Sequence, residues 1–225
     1  MSPVPAPFSG SSPSVSPPDA DLFARSDHRL GPLERLSRWI LRRAGWRATG
    51  VYPRLPRFVL IVAPHTSNWD FPVSLLAGWG IGLLRDYPHG FLMKDSLDRW
   101  PFRPVMRRLG GIPVARTHPE HSVARAAASF SGKERFLLAL APEGTRKPTR
   151  YWRSGFWHIA RRAGVPVVPV ALDFGRRELR IGEAVPLSGD AEEDMAGFRE
   201  CFEGAQGFTA EYASPIELAP EKTAG

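Results

Sequence analysis

The chain has 225 residues, which is enough to bury a sizeable core and favours one α/β domain over two. Its 30 basic and 23 acidic residues give a net charge of +7 and a pI of about 10.2, which indicates an anionic partner such as nucleic acid, an anionic membrane surface, or a phosphorylated or CoA-bearing substrate. The single cysteine, Cys201, excludes an intrachain disulfide and a cysteine cluster for zinc, and its acidic surroundings disfavour a catalytic thiolate.

The ends of the chain differ in composition from its middle. Residues 1–28 are dense in Pro and Ser and predict a disordered leader, residues 29–212 predict the folded domain, and residues 213–225 predict a C-terminal tail. No apolar run reaches the roughly 18 residues of a membrane-spanning helix, and no basic residue or apolar segment near the start suggests a secretory signal. We therefore expect a cytoplasmic protein.

The first predicted helix, residues 30–46, combines Leu and Trp at helical spacing with four arginines, and Arg47 follows it directly. Such a basic helix can lie in a membrane interface, where its arginines meet anionic head groups. An ordinary surface helix with its apolar stripe on the core gives the same periodicity. The pattern leaves both interpretations open.

Strands and helices alternate along the rest of the chain, which predicts an α/β fold with a mixed, largely parallel sheet flanked by helices. The predicted strands are residues 49–52, the uncharged run between Pro56 and Pro64, 89–93, 112–116, 135–141, 166–172 and, at an edge, 179–183. The predicted helices after the first are residues 71–84, 120–130, 154–162 and an acidic one after Glu183.

His65 and Asp70 follow the buried strand within the sequence HTSNWD. At about 100° per helical residue, their spacing puts them on different faces of a helix, so they can meet only if the chain turns between them. In that arrangement a carboxylate holds one ring nitrogen while the other takes a proton from a substrate. The alternative is that Asp70, which precedes Phe71 and Pro72, caps the helix and His65 is a loop residue.

A second polar loop, Glu143-Gly144-Thr145-Arg146, follows another buried strand. Because the carboxyl ends of parallel strands meet at one edge of a sheet, both loops are expected to face one crevice. Gly144 permits a sharp turn or a close approach, Thr145 offers a hydroxyl, and Arg146 offers a planar fork for phosphate oxygens. A polar turn with a solvated arginine is the alternative.

The set His118, Glu120 and His121 raises the question of a metal site. It lies at the entry to a predicted helix, and no further ligand motif accompanies it. We therefore expect no metal there.

Together the two loops resemble the glycerolipid acyltransferase family, specifically its lysophospholipid (1-acylglycerol-3-phosphate) acyltransferases. The resemblance covers residues 58–172 and runs in the family's motif order. The matching blocks are HTSNWD (65–70) for its His-x4-Asp motif, GIPVAR (111–116), PEGTR (142–146) and VPVVPV (165–170).

The resemblance implies transfer of a fatty acyl group from acyl-CoA or acyl carrier protein to the free hydroxyl of a lysophospholipid. His65 would be the general base, and Asp70 would orient it. The implied substrate-binding residues are Arg146 and Arg116 for the acceptor's phosphate, Gly144 and Thr145 around them, Glu143 without an assigned role, and Lys94, a basic residue between the first two blocks. The thioester is a co-substrate, and no metal or other cofactor is implied.

Three positions depart from the family pattern: Pro64 stands where Asn is frequent, Ala141 where an aromatic is frequent, and Lys147 where Ser is frequent. These departures leave the acceptor's identity open. The implied partners are the acyl thioester, the lysophospholipid and an anionic membrane surface, which would place the protein at the inner face of the cell membrane.

Two hypotheses compete with this one. The high pI and the aromatic residues would also suit a nucleic-acid-binding protein, although no helix-turn-helix, zinc-finger or RNP pattern occurs and nucleic acid is not the expected partner. A non-catalytic membrane-surface protein could keep the same fold. A serine hydrolase is disfavoured, because no G-x-S-x-G sequence is present.

Overall fold

The computed structural model describes residues 21–24, 30–114, 119–212 and 214–218. Its seven strands are β1 (Arg47–Gly50), β2 (Arg57–Ala63), β3 (His89–Lys94), β4 (Gly111–Val114), β5 (Phe136–Leu140), β6 (Val167–Asp173) and β7 (Glu178–Ile181). Its α-helices are α1 (Pro32–Arg43), α2 (Asp70–Gly80), α3 (Leu83–Asp86), α4 (Arg103–Arg108), α5 (Pro119–Ala128), α6 (Gly155–Ala163) and α7 (Ala191–Phe202).

The strands form one mixed sheet in the order β1-β7-β6-β2-β5-β3-β4. All pairs are parallel except β6 with β7. Strands β2 and β6 read as continuous apolar runs and not as alternating ones, because helices cover both faces of the sheet. The predicted α/β class with a largely parallel sheet is confirmed.

Each face of the sheet carries its own hydrophobic core. On one face, helices α5, α6 and α7 contribute Ala126, Phe156, Trp157 and Phe198, and Phe130 follows α5. On the other face, α1, α2 and α3 pack over the opposite side chains of the same strands. The Ala63–Pro64 peptide bond at the end of β2 is cis.

Two predicted elements differ from the structure. The strand predicted at an edge, β7, lies inside the sheet between β1 and β6, where Leu179 and Ile181 are 4% and 2% exposed. The single helix predicted over residues 71–84 is two helices. Gly82 separates them with a φ of 82°, a left-handed conformation that ends a helix and suits glycine.

Both predicted tails contain packed residues. In the predicted leader, Leu22 and Phe23 are buried in the core under α1 and α2, and the Leu22 N–H donates to Ala48 O at 2.7 Å. In the predicted C-terminal tail, residues 214–218 run beside Trp152. The prediction of disorder is therefore wrong for residues 21–24, and residues 214–218 of the predicted tail have defined contacts. The rest of both segments lies outside the described residues.

Helix α1 packs against α2 with its polar side inward. Ser37 and Glu34 are buried, and the Arg38 guanidinium donates to Gly80 O at 3.0 and 2.9 Å. The apolar side chains that share the other face are exposed: Leu33, Leu36, Trp39 and Ile40. The interpretation that places this stripe on the core is therefore wrong for these four residues, whereas Leu41, which is 3% exposed, belongs to the core. Within the described residues, no helix is both long enough and apolar enough to cross a bilayer.

Candidate active site

The polar loops follow neighbouring parallel strands. Strand β2 pairs in parallel with β5, β5 with β3, and β3 with β4. Their carboxyl ends therefore lie along one edge of the sheet, which is where ligand sites of α/β sheets form. The loop after β2 carries His65, and the loop after β5 carries Glu143. The predicted meeting of the two loops is confirmed.

His65 and Asp70 form a close pair. Nδ1 of His65 lies 2.9 Å from Oδ2 of Asp70, and the two side chains are 28% and 4% exposed. A carboxylate at Nδ1 accepts a hydrogen bond from the N–H group there, which leaves Nε2 as the basic nitrogen. The His65 ring is partly exposed and lines the cleft described below, whereas the Asp70 carboxylate is buried. Their predicted catalytic roles stay predictions that kinetics can test.

Asp70 is held by the turn that brings it to His65. Helix α2 begins at Asp70, and the residue at its N-cap position is Trp69. The Asp70 carboxylate points back along the chain, where Oδ2 also accepts the Ser67 N–H at 2.8 Å. Among the described residues, Oδ1 is buried without a hydrogen-bond partner. The interpretation of Asp70 as the N-cap is therefore wrong, because the carboxylate fixes the preceding turn.

Glu143 links the two loops through the backbone of His65. Its Oε2 accepts the His65 N–H at 2.6 Å, and its carboxylate also accepts the backbone N–H of Ser214. Glu143 is 1% exposed. Burial raises its pKa to about 7, although the His65 and Ser214 N–H groups favour the charged form. The pattern alone gave no role for Glu143; the structure gives it a contact with the backbone of the predicted base.

Gly144 allows a tight turn that also touches an arginine. Its φ is 66°, and a Cβ at this position would lie 2.6 Å from Cδ and 2.8 Å from Nε of Arg153. The Arg153 N–H donates to Pro142 O at 2.9 Å, which closes the loop. Only glycine fits here without displacing Arg153.

A cleft of about 1790 Å³ opens over this edge of the sheet. Of the predicted substrate-binding residues, it is lined by Gly144, Thr145, Arg146 and Lys94, together with His65 and Asp70. Arg146 and Lys94 are exposed, and the Thr145 hydroxyl accepts the Lys147 N–H at 3.3 Å. The apolar part of the lining comes from Phe71, Leu75, Leu84, Phe91, Met93 and Met106. The cleft thus offers cations and apolar side chains, and its lining includes the imidazole of His65.

Some predicted residues lie outside the site or outside the description. Arg116 and His118 lie outside the described residues. Within the described part of the chain, no group of three or more His, Cys, Asp or Glu side chains is placed to hold a metal ion. Burial raises the pKa of the Cys201 thiol to about 11, which disfavours the thiolate.

Sequence reasoning missed two residues at this site. Arg153 lies against Gly144 and lines the cleft, but nothing in the pattern distinguishes it from the other arginines. Thr66, next to the predicted base, is 4% exposed and accepts the Thr209 N–H. Its only sequence signal is its place inside the HTSNWD block.

Comparison with known proteins agrees with the motifs at the level of the family. A family model described as "Acyltransferase" matches residues 52–173, which is more than half of the chain. No curated protein matches the sequence. Among solved structures, the chain is similar to the crystal structure of the 1-acyl-sn-glycerophosphate (LPA) acyltransferase PlsC from Thermotoga maritima, with 19% identity and a TM-score of 0.48 over 80% of this chain and 81% of that chain. That likeness is too distant to support conclusions about this chain, whereas the family match spans β2 to β6 and both motif loops. The chain belongs to the acyltransferase family.

Proposed function

We propose that this acyltransferase moves a fatty acyl group from a thioester donor, acyl-CoA or acyl carrier protein, to the free hydroxyl of a lysophospholipid of the 1-acylglycerol-3-phosphate type. The observation that carries the proposal is the His65–Asp70 pair, with Nδ1 2.9 Å from a buried carboxylate oxygen. A lipid hydroxyl is a weak nucleophile at neutral pH. A positioned base that removes its proton typically contributes about 10² to 10⁴ in rate.

The chemistry then follows in two proton transfers. The acceptor hydroxyl oxygen attacks the thioester carbonyl carbon while its proton passes to Nε2 of His65. Asp70 stabilises the imidazolium that forms and keeps the ring in one orientation. The tetrahedral intermediate collapses, the C–S bond breaks, and the leaving thiolate takes the proton back from His65. The products are the ester and the free thiol.

The lining of the cleft supports an amphiphilic acceptor that carries a phosphate. Arg146 and Lys94 supply cations to the cleft that His65 also lines, and Arg146 can hold two phosphate oxygens through its planar fork. Phe71 and Phe91, whose ring centroids are 4.9 Å apart, supply an apolar wall for acyl chains. We infer an acceptor-binding role for Arg116 from the motif alone.

Membrane association belongs to the same proposal. The exposed stripe of α1 lies among arginines, and a second exposed group at Leu97, Trp100, Phe102 and Val105 lies among Arg99, Arg103, Arg107 and Arg108. Leu97 also lines the cleft. Aromatic and aliphatic side chains beside arginines suit the head-group region of an anionic bilayer. We infer peripheral binding to the inner face of the cell membrane.

The test is thiol release from acyl-CoA in the presence of a panel of lysolipids that includes lysophosphatidic acid, with the lipid product identified by mass spectrometry. We expect the wild-type protein to release thiol only with a suitable acceptor. His65→Ala should lower kcat by at least roughly 10² while the thermal melt stays unchanged. A His65→Ala protein with full activity would reject His65 as the base.

A non-catalytic membrane-surface protein of the same fold is the alternative. It predicts vesicle binding without thiol release from any donor, acyl carrier protein included. The exposed apolar residues of α1 are compatible with it, whereas the His65–Asp70 pair favours the enzyme.

A further inference from the structure

Residues 207–212 and 214–218 form a segment, here called the C-terminal strap, that contacts both motif loops. It lies outside residues 52–173, the part of the chain matched by the family model. It contains a short 3₁₀ helix at Ala210–Tyr212, and Ile216 and Leu218 pack against the core beneath α6 and α7. The strap is therefore anchored in the fold by apolar contacts of its own.

One end of the strap holds the loop that carries His65. The Thr209 N–H donates to Oγ1 of Thr66 at 3.2 Å. Gly207 lies so close to the same side chain that a Cβ on it would be 2.5 Å from Oγ1 and 2.6 Å from Cγ2 of Thr66. Thr66 is buried although both of its chain neighbours are partly exposed. The strap thus fixes the residue next to the predicted base.

The other end holds the loop that carries Arg146. The Ser214 N–H donates to the Glu143 carboxylate, and Oγ of Ser214 accepts the Thr149 N–H at 3.0 Å. The Ser214 and Thr149 hydroxyls are also 3.0 Å apart. Further along, the Trp152 N–H donates to Glu217 O at 2.7 Å. The strap therefore brackets the second loop on both sides of Arg146.

We propose that the C-terminal strap is a positioning element for acyl transfer, with Thr66 and Ser214 as the positioning residues through which it acts on His65 and on the Arg146 loop. Loops are the mobile parts of an α/β site, and an error of about 1 Å in a reacting group can cost roughly 10² in rate. One end of the strap contacts the His65 loop and should therefore affect kcat. The other end contacts the Arg146 loop and should therefore affect the KM for the acceptor. This kinetic consequence rests on the function proposed above.

Thr66→Val tests the first end, because valine keeps the shape and removes only the hydroxyl acceptor. We expect kcat to fall roughly tenfold with the KM of both substrates within about twofold of wild type. Thr66→Ser, which keeps the hydroxyl, should restore kcat. Thr49→Val, in β1, is the matched control: the buried Thr49 hydroxyl donates to Glu178 of β7 at 3.0 Å, and two strands, β7 and β6, separate β1 from β2. It should change the melting temperature without changing either kinetic constant.

Ser214→Ala tests the second end, because it removes the hydroxyl bonds to Thr149 and keeps the backbone N–H for Glu143. The KM for the lipid acceptor should rise about fivefold, since the loop that carries Arg146 loses an anchor, while kcat changes less. Equal losses for the Thr49→Val control would show a merely structural effect and overturn the proposal.

A measurement that does not depend on activity tests whether the strap holds the two loops. Hydrogen exchange measured by mass spectrometry should become about fivefold faster in peptides covering residues 64–70 for Thr66→Val, and in those covering 143–152 for Ser214→Ala. Unchanged exchange at both loops would overturn the proposal even in an active enzyme. If no lipid acceptor supports thiol release, the proposed function fails, and faster exchange confined to these loops would still support the strap.

Discussion

The buried Glu143 should make the stability of this protein depend on pH in an unusual direction. Burial raises the pKa of Glu143 to about 7 from an ordinary value of 4.5. The folded chain therefore holds this proton more tightly than the unfolded chain does. The resulting stabilisation is present at low pH and is lost as the pH rises through about 7. A paired surface carboxylate has the opposite sign, since its folded pKa is lowered.

The magnitude follows from the two pKa values. A proton held with a pKa of about 7 in the folded state and 4.5 in the unfolded state contributes about 2.5 kcal/mol at about pH 5 and close to zero at about pH 8. Glu143→Gln removes this ionisation and keeps a side chain of similar shape. Relative to wild type, the free energy of unfolding of the variant should therefore rise by about 2.5 kcal/mol between those two pH values.

Urea unfolding of both proteins at about pH 5 and about pH 8, followed by tryptophan fluorescence at constant ionic strength, measures this difference. All other titrating groups are shared, so their contributions cancel when the variant is compared with wild type at each pH. A variant-to-wild-type difference that stays constant within about 0.5 kcal/mol would refute the argument from burial.

Three further predictions concern the site and the membrane. Asp70→Asn should lower kcat by at least roughly 10² in the thiol-release assay with little change in the thermal melt, because the amide favours the wrong His65 tautomer; full activity would remove Asp70 from the mechanism. Arg146→Lys should raise the KM for the acceptor at least roughly tenfold, since lysine cannot present a bidentate fork, and unchanged kinetics for both substrates would contradict that role. Replacing both Leu36 and Trp39 by Ala should weaken sedimentation with anionic liposomes at least roughly tenfold, and equal wild-type binding to neutral and anionic vesicles at low salt would exclude the electrostatic part.

The sheet and the meeting of the two motif loops could be predicted from the sequence because both depend on local signals. Continuous apolar runs ended by proline marked β2 and β5, and parallel strands bring their carboxyl ends together whatever the side chains that follow. The position of β7 inside the sheet could not be predicted in this way. Its pairing with β1 joins segments that are far apart in sequence. A strand of four residues has too short a pattern to show whether it has one neighbouring strand or two.

Contacts made by the backbone were also hidden from the sequence. Leu22 and Phe23 are two apolar residues inside a segment rich in Pro and Ser, and composition averaged over the segment conceals them. The strap holds Thr66 and Glu143 through the N–H groups of Thr209 and Ser214. Every residue type except proline has this N–H group, so the side chains at these positions do not indicate the contact.

The face that α1 buries shows a different limit of prediction from sequence. Periodicity locates an apolar stripe on a helix but does not say what covers it. Here Ser37 is buried and the Arg38 guanidinium donates to Gly80 O of α2, although a hydrophobic pattern assigns both groups to solvent. An apolar stripe left outside in this way is what a helix that lies on a membrane requires.

The two motifs work as one unit because His65 is held at two points by carboxylates of different origin. Asp70, from its own loop, fixes the ring, and Glu143, 78 positions along the chain, fixes the backbone N–H. Between these fixed points, Asn68 and Trp69 are exposed. A loop that is fixed where it leaves the sheet and exposed at its tip can keep His65 in place while a substrate enters. The rate of acyl transfer should therefore be more sensitive to substitution of the buried Asp70 and Glu143 than to substitution of the exposed tip.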